Sequence, residues 1–180
     1  CGTWFDHELE LPTGEKMQTG EKEMKSWWKI DGAWPTESPD EALAGVKLAD
    51  ALGLKPGDTV SYRTKDGAAR TLKITGVVTG GGAEDDALTV NLALAQELLG
   101  AAGKIDKIEV SAVTTPENDL ARKAAENPER LSQKEREIWY CTAYVSAICH
   151  QIQEVVRDGV ARPSSVGLFV RFSSTMMSPS

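Results

Sequence analysis

From Val60 to Val78 the chain carries two alternating apolar and polar runs, VSYRT and RTLKITGVV, on either side of Lys65-Asp66-Gly67. A period of two gives each run one apolar face, and a Gly-containing loop between the runs folds them back on each other as an antiparallel β-hairpin. Lys55-Pro56-Gly57-Asp58 makes a turn before the hairpin, and Gly80-Gly81-Gly82-Ala83-Glu84-Asp85-Asp86 breaks its second strand. The whole chain has 180 residues, 41% of them hydrophobic, enough to bury a core in one domain or in two small lobes.

Charge and hydropathy narrow the class. The net charge of -7, from 27 acids against 20 bases, opposes a phosphate-tracking surface, so no nucleic-acid partner is expected. The longest stretch without formal charge, Ile138 to Gln153, is interrupted by Thr142, Ser146, His150 and Gln151. It is too short and too polar to span a bilayer, and the expectation is a water-soluble piece.

Around the hairpin the punctuation predicts an α+β chain. Trp4, Phe5, Trp27, Trp28 and Trp34 lie on either side of turn signals at Thr13-Gly14 and Thr19-Gly20, which predicts short strands or a hairpin with the tryptophans in its core. Ser38-Pro39-Asp40-Glu41 joins an N-cap Ser, a Pro at the first helical position and a Glu three residues after the cap. It predicts a helix ending at Gly53, which runs either from this cap or, because Gly45 weakens its first turns, only from about Val46 to Leu52. ALTVNL, ALAQELLG and KIDKIEVSAV then read as strand, helix and strand, a βαβ-like unit.

Further on, Thr115-Pro116-Glu117 opens a helix to about Ala125, and Ser132 with Glu135 offers a capping box for a longer one. Along that long amphipathic helix Ile138, Cys141, Val145, Ile148, Ile152 and Val155 recur every three or four residues as one stripe, either core or partner-facing. A last strand near Val160 to Arg162 closes the lobe. The expected division is a β-rich, Trp-containing lobe with the hairpin over 1–90, an α/β lobe over 91–163, and a disordered or atypical tail over 164–180.

Signatures of chemistry are few. The glycine run lacks the spacing of a nucleotide loop, since Asp85 stands where the third Gly belongs. Glu84, Asp85 and Asp86 form either a contact loop, with a weak cation site as its chemical extreme, or a solvated turn; consecutive acids do not point one way. Cys1, Cys141 and Cys149 are an odd set, and Cys149 and His150 are helix neighbours that face different directions. No metal, cofactor or catalytic residue is assigned, and the expectation is a non-enzymatic protein. Cys1-Gly2 reads as an arbitrary start or as the lipidated first residue of a lipoprotein.

Six segments taken in order resemble one family: GTWFDHELELPTGEK, SWWKIDGAWP, DEALAGVKLADALGLKPGDTV, LKITGVVTGGGAEDDALTVNLALAQELLG, KIDKIEVSAVTTPENDLARKA and WYCTAYVSAICHQIQEVV. Together they resemble the extracytoplasmic domain of FtsX/MacB-type ABC transporter permeases, entered part-way through the domain. That resemblance implies a MacB-like periplasmic core domain between two transmembrane helices, on the outer side of a bacterial membrane. It implies a cytoplasmic ABC ATPase subunit and a second permease copy as partners, and an extracytoplasmic protein partner besides. The implied role is mechanical, coupling ATP-driven motion to substrate export or partner activation. Two other readings stand beside it. One is a free-standing extracytoplasmic module holding a peptide or glycan against its tryptophans. The other is a DNA-binding regulator, since LGLKPGDTV also resembles swapped-hairpin proteins of the AbrB type; the charge opposes it.

Overall fold

The centre of the first sheet is a five-residue strand that lies where a helix start was expected. A computed structural model describes residues 1–64, 67–156, 159–164 and 167–172 and divides the chain into two compact units, Cys1–Lys104 and Ile105–Ser180. The first unit runs through β1 (Gly2–Thr3), β2 (His7–Glu10), β3 (Lys16–Thr19), α1 (Glu21–Met24), β4 (Lys29–Gly32), β5 (Glu41–Gly45), α2 (Val46–Leu52), β6 (Thr59–Arg63) and β7 (Ala69–Thr79). A 3-10 turn (Ala83–Asp86), β8 (Leu88–Asn91) and α3 (Leu92–Leu99) complete it.

The strands order as β1-β8-β5-β7, and β6 and β4 share the far edge of β7 end to end. The expected hairpin is present as β6 and β7, paired from Thr59 with Lys73 to Arg63 with Ala69. The early aromatic region also forms a hairpin, β2 with β3.

The helix signature at Ser38 fails for a local reason. Glu41 does not return to Ser38; its carboxylate accepts from the Thr36 N–H at 2.7 Å and the Thr36 hydroxyl at 2.8 Å, which holds the backbone extended. The next residues are then covered on both faces, as an interior strand must be. Ala42 and Ala44 join a core with Ala49, Leu72, Ile74, Val90 and Leu94. Leu43, facing the other way, joins Phe5 and Val78 under Trp28, Ile30 and Trp34. Only the shorter helix remains, α2, stopped by Gly53 in the left-handed region at φ 67°. Burying side chains such as Phe5, Leu43 and Ile74 contributes about 1.5–3 kcal/mol each before entropy is counted.

Two further expectations change. β8, α3 and the next strand do not make a βαβ unit, because β8 pairs with β1 and β5 in the first unit. The parallel crossover runs instead from β5 through α2 and β6 to β7. The division expected at 90/91 falls inside β8, and it lies at Lys104/Ile105, because α3 buries Leu94 in the first core.

The second unit holds β9 (Lys107–Val110), α4 (Asp119–Glu126), a 3-10 turn (Pro128–Arg130), α5 (Gln133–Cys141), α6 (Val145–Val155), β10 (Gly159–Ser164) and β11 (Gly167–Phe172). α4 starts at an Asn118 cap, and α5 at the expected capping box of Ser132 and Glu135. Its helical core is Ala121, Ala124, Leu131, Trp139, Tyr144 and Ala147. β10 is the predicted last strand, but the tail expected from residue 164 is corrected over 167–172. There β11 is the middle strand of an antiparallel sheet, β10-β11-β9. An apolar run without alternation suits a central strand. Residues 173–180 of that expected tail lie outside the described residues. Among the described residues no helix is long and apolar enough to cross a membrane.

Candidate functional site

The loop after β7 gathers three carboxylates and sends each elsewhere. Asp85 is buried, and its carboxylate accepts the Gly80 N–H at 2.8 Å and the Gly81 N–H at 3.2 and 3.3 Å. Glu84 turns back onto the Gly82 N–H at 3.2 Å. Asp86 points outward to the Lys47 ammonium at 3.0 Å, and this hydrogen bond raises the Lys47 pKa above its ordinary value. The three acids therefore share no cation position, and among the described residues no group of three His, Cys, Asp or Glu side chains is placed to hold a metal.

What the loop does hold is the end of β5. Gly45 donates its N–H to the Ala87 carbonyl at 2.8 Å, and a Cβ on Gly45 would lie 2.1 Å from the Glu84 carbonyl oxygen and 2.4 Å from the Asp85 carbonyl carbon. Gly45 has ordinary extended angles (φ -64°, ψ 145°), so the requirement for glycine is close approach. The Gly45–Ala87 bond and the Lys47–Asp86 pair pin the loop to the β5–α2 junction, while Asp85 closes the loop on itself.

A second clamp had no motif to announce it. One Glu37 carboxylate oxygen accepts the Phe5 and Asp6 N–H groups at 2.8 and 2.9 Å, and the other accepts from the Asn91 side-chain amide at 2.5 Å. The Asn91 side-chain oxygen in turn caps α3 by accepting the Ala93 N–H. One carboxylate thus ties the first six residues, the approach to β5 and the β8–α3 junction. No local spacing encodes it, because its partners are 31 to 54 residues away.

The expected helical stripe is broken. Thr142 leaves helical geometry (φ -100°, ψ 137°), and its hydroxyl bonds back to the Ile138 carbonyl, so α5 and α6 are separate helices. Trp139 and Tyr144 at the break are the buried residues instead; the Trp139 indole donates to the Ser146 hydroxyl at 3.1 Å, and the Tyr144 hydroxyl accepts from the Asn118 side chain at 2.9 Å. Val145, Ile148 and Ile152 stay together on α6, packed around Cys149 and Ala161, while Ile138 and Val155 are exposed.

The tryptophans divide as well. Trp28 and Trp34 stack with ring centroids 6.1 Å apart over the core, whereas Trp4 and Trp27 are exposed. Trp4 stacks on His7 at 4.2 Å, and Lys25 sits 5.4 Å from the Trp27 ring centroid. Cys149 is buried, and that burial, followed by the Glu117 charge, pushes its thiol pKa up. His150 turns to the Glu154 carboxylate at 3.5 Å and the Trp139 ring at 5.2 Å.

Fold and surfaces define an α+β protein of two compact units, the first braced by the buried Asp85 carboxylate and the half-buried Glu37 carboxylate. No protein-family model matches the chain, and no curated protein matches it.

Proposed function

We propose that the chain belongs to the extracytoplasmic domain of an FtsX/MacB-type ABC export permease on the outer side of a bacterial membrane. It works through contacts, coupling motion driven by a separate ATPase subunit to export or to activation of an outer partner protein. The observation that supports this reading is the bracing of the first unit. The segments that carry the resemblance, EALAGVKLADALGLKPGDTV and LKITGVVTGGGAEDDALTVNLALAQELLG, become β5-α2-β6 and β7-loop-β8-α3 of one sheet. Around that sheet the Asp85 carboxylate closes the loop after β7 on itself, and the Glu37 carboxylate ties the approach to β5 to β8. A body braced by charged hydrogen bonds moves as a unit and passes displacement on, which suits a mechanical element.

Thiol labelling tests it. Cys1 and Cys141 are exposed, so a membrane-impermeant maleimide should label the full-length protein containing this chain in cells whose outer surface is accessible but whose inner membrane is intact. Labelling only after the membrane is broken, or turnover of ATP by the isolated chain, would overturn the reading.

A further inference from the structure

The elbow between α5 and α6 is imposed by residues outside it. Residues 133–155 contain neither Gly nor Pro, the residues that break helices, and they start on a full capping box. Their apolar positions recur at intervals of 3, 4, 3, 4 and 3 from Ile138 to Val155, the pattern of one continuous helix. Yet the helix stops, with Thr142 (φ -100°, ψ 137°) and Tyr144 (φ -70°, ψ 144°) extended. The bond from the Thr142 hydroxyl to the Ile138 carbonyl does not force this, since it reaches back four residues and forms equally inside a helix. Tyr144 gives α6 no side-chain cap.

The elbow is gripped by the segment that leads into α4. Thr115 donates its N–H to the Ala143 carbonyl at 2.8 Å, Glu117 accepts the Ser146 N–H at 3.1 Å, and the Asn118 amide donates to the Tyr144 hydroxyl at 2.9 Å. Residues 111–118 are exposed throughout, so this strap lifts without opening a core. α5 itself is lightly held. Trp139 is its one buried residue, and its returns to α6, the Tyr140 hydroxyl on Glu154 at 2.9 Å and the Gln151 amide on the Tyr140 carbonyl at 2.7 Å, are exposed bonds.

We infer that 115–118 is a releasable strap and the elbow a two-state element. With the strap seated, α5 folds back beside α6; with the strap lifted, α5 swings into line with α6 as one helix over 133–155. A local pattern overridden by tertiary contacts marks a strained or functional place in a fold, and two packings of one segment can lie close in free energy. The straight form forfeits the Trp139 contact. It gives the first N–H groups of α6 helical partners in place of the one that Glu117 supplies. It also brings Ile138 and Val155, both exposed in the bent form, into one stripe with Val145, Ile148 and Ile152. The switch lies within the second unit and does not depend on the permease reading.

Spin-label distances between positions 137 and 153, both exposed, test the switch in the full chain with Cys1 and Cys141 replaced by Ser and Cys149 by Ala. One continuous helix sets these positions about 24 Å apart along its axis, and the folded-back form sets them clearly closer. Glu117→Ala with Tyr144→Phe removes two of the strap's bonds and should raise the long-distance population about tenfold or more over wild type. The carbon-13 Cα shifts of Thr142, Ala143 and Tyr144 should move from extended toward helical values in step. Adding Ala143→Gly should lower that population again, because Gly weakens a helix and the bend needs none at this position. Circular dichroism melting checks folding, and Glu117→Gln and Tyr144→Phe alone give the same readout if the double variant does not melt cooperatively. A single short distance with extended shifts in folded strap variants would overturn the inference. So would a long-distance population that Ala143→Gly leaves unchanged.

Discussion

Replacing Asp85 by Ala removes the buried side chain that holds the turn after β7 from within. The Gly80 N–H is half-buried and loses a 2.8 Å bond to a carboxylate, while the more exposed Gly81 N–H, at 3.2 and 3.3 Å, recovers part of its loss from water. A hydrogen bond to a charged group contributes about 1.5–3 kcal/mol, so the Gly80 bond and a fraction of the Gly81 bond make the expected cost about 2–3 kcal/mol. Replacing Gly45 by Ala attacks the same contact from the other side. Its Cβ would lie 2.1 Å from the Glu84 carbonyl oxygen, which belongs to the backbone and moves only if the loop moves. Both changes thus lift one loop, and the double variant should cost clearly less than the sum of the singles. Urea unfolding monitored by tryptophan fluorescence in a Trp139→Phe background reads the first unit alone, since the other four tryptophans lie there. A loss of 2–3 kcal/mol corresponds to a drop in melting temperature of roughly 10–20 °C for a unit of this size. A cost below about 0.5 kcal/mol for Asp85→Ala, within the range of ordinary surface changes, or strict additivity with Gly45→Ala, would refute the reasoning.

Other consequences follow from single side chains. Glu37→Ala strands the Phe5 and Asp6 N–H groups and the Asn91 amide, at a cost of about 2–3 kcal/mol; hydrogen exchange should show faster exchange at the first two amides, and unchanged protection there would deny the clamp. The Glu135 carboxyl is held down to about 2 from its ordinary 4.5, by the Ser132 hydroxyl first, the Ser132 N–H next and Lys123 third. A depressed carboxylate stabilises the fold fully above its unfolded value and loses that contribution as pH falls through about 2. Glu135→Gln should therefore flatten the acid limb of α5 stability between those two values, seen by pH-dependent helical circular dichroism, and an unaltered limb would count against the capping box as its origin. Of the three thiols, Cys1 and Cys141 should react promptly with a disulfide reagent in the folded chain, and Cys149 only on unfolding. Three equally fast thiols would contradict its burial.

Legibility in the sequence followed the range of the interaction. The β6–β7 hairpin, the left-handed stop at Gly53 and the Ser132–Glu135 box are each decided within a few residues, and all stand where spacing placed them. β5 was misread because its signature is local and its cause is not. Ser38-Pro39-Asp40-Glu41 satisfies the rules of a helix start, yet Ala42, Leu43 and Ala44 are claimed on both faces by residues from 5 to 94. Two cores on opposite sides of one strand outweigh a capping preference of about 1 kcal/mol. The broken stripe follows the same logic, since its periodicity runs on through Thr142 and a chain turn keeps it only in part: Val145, Ile148 and Ile152 remain core, and Ile138 leaves it.

The acidic loop shows why composition misleads about sites. Glu84, Asp85 and Asp86 suggest a shared negative field, but a 3-10 turn rotates successive side chains by about 120°, so each carboxylate finds a different partner. The motif's information lies in its glycines. Gly45 leaves the gap into which the Asp85 backbone fits, and Gly80 and Gly81 present the N–H groups that the Asp85 carboxylate fills. Charges with inward partners are spent on holding the unit together.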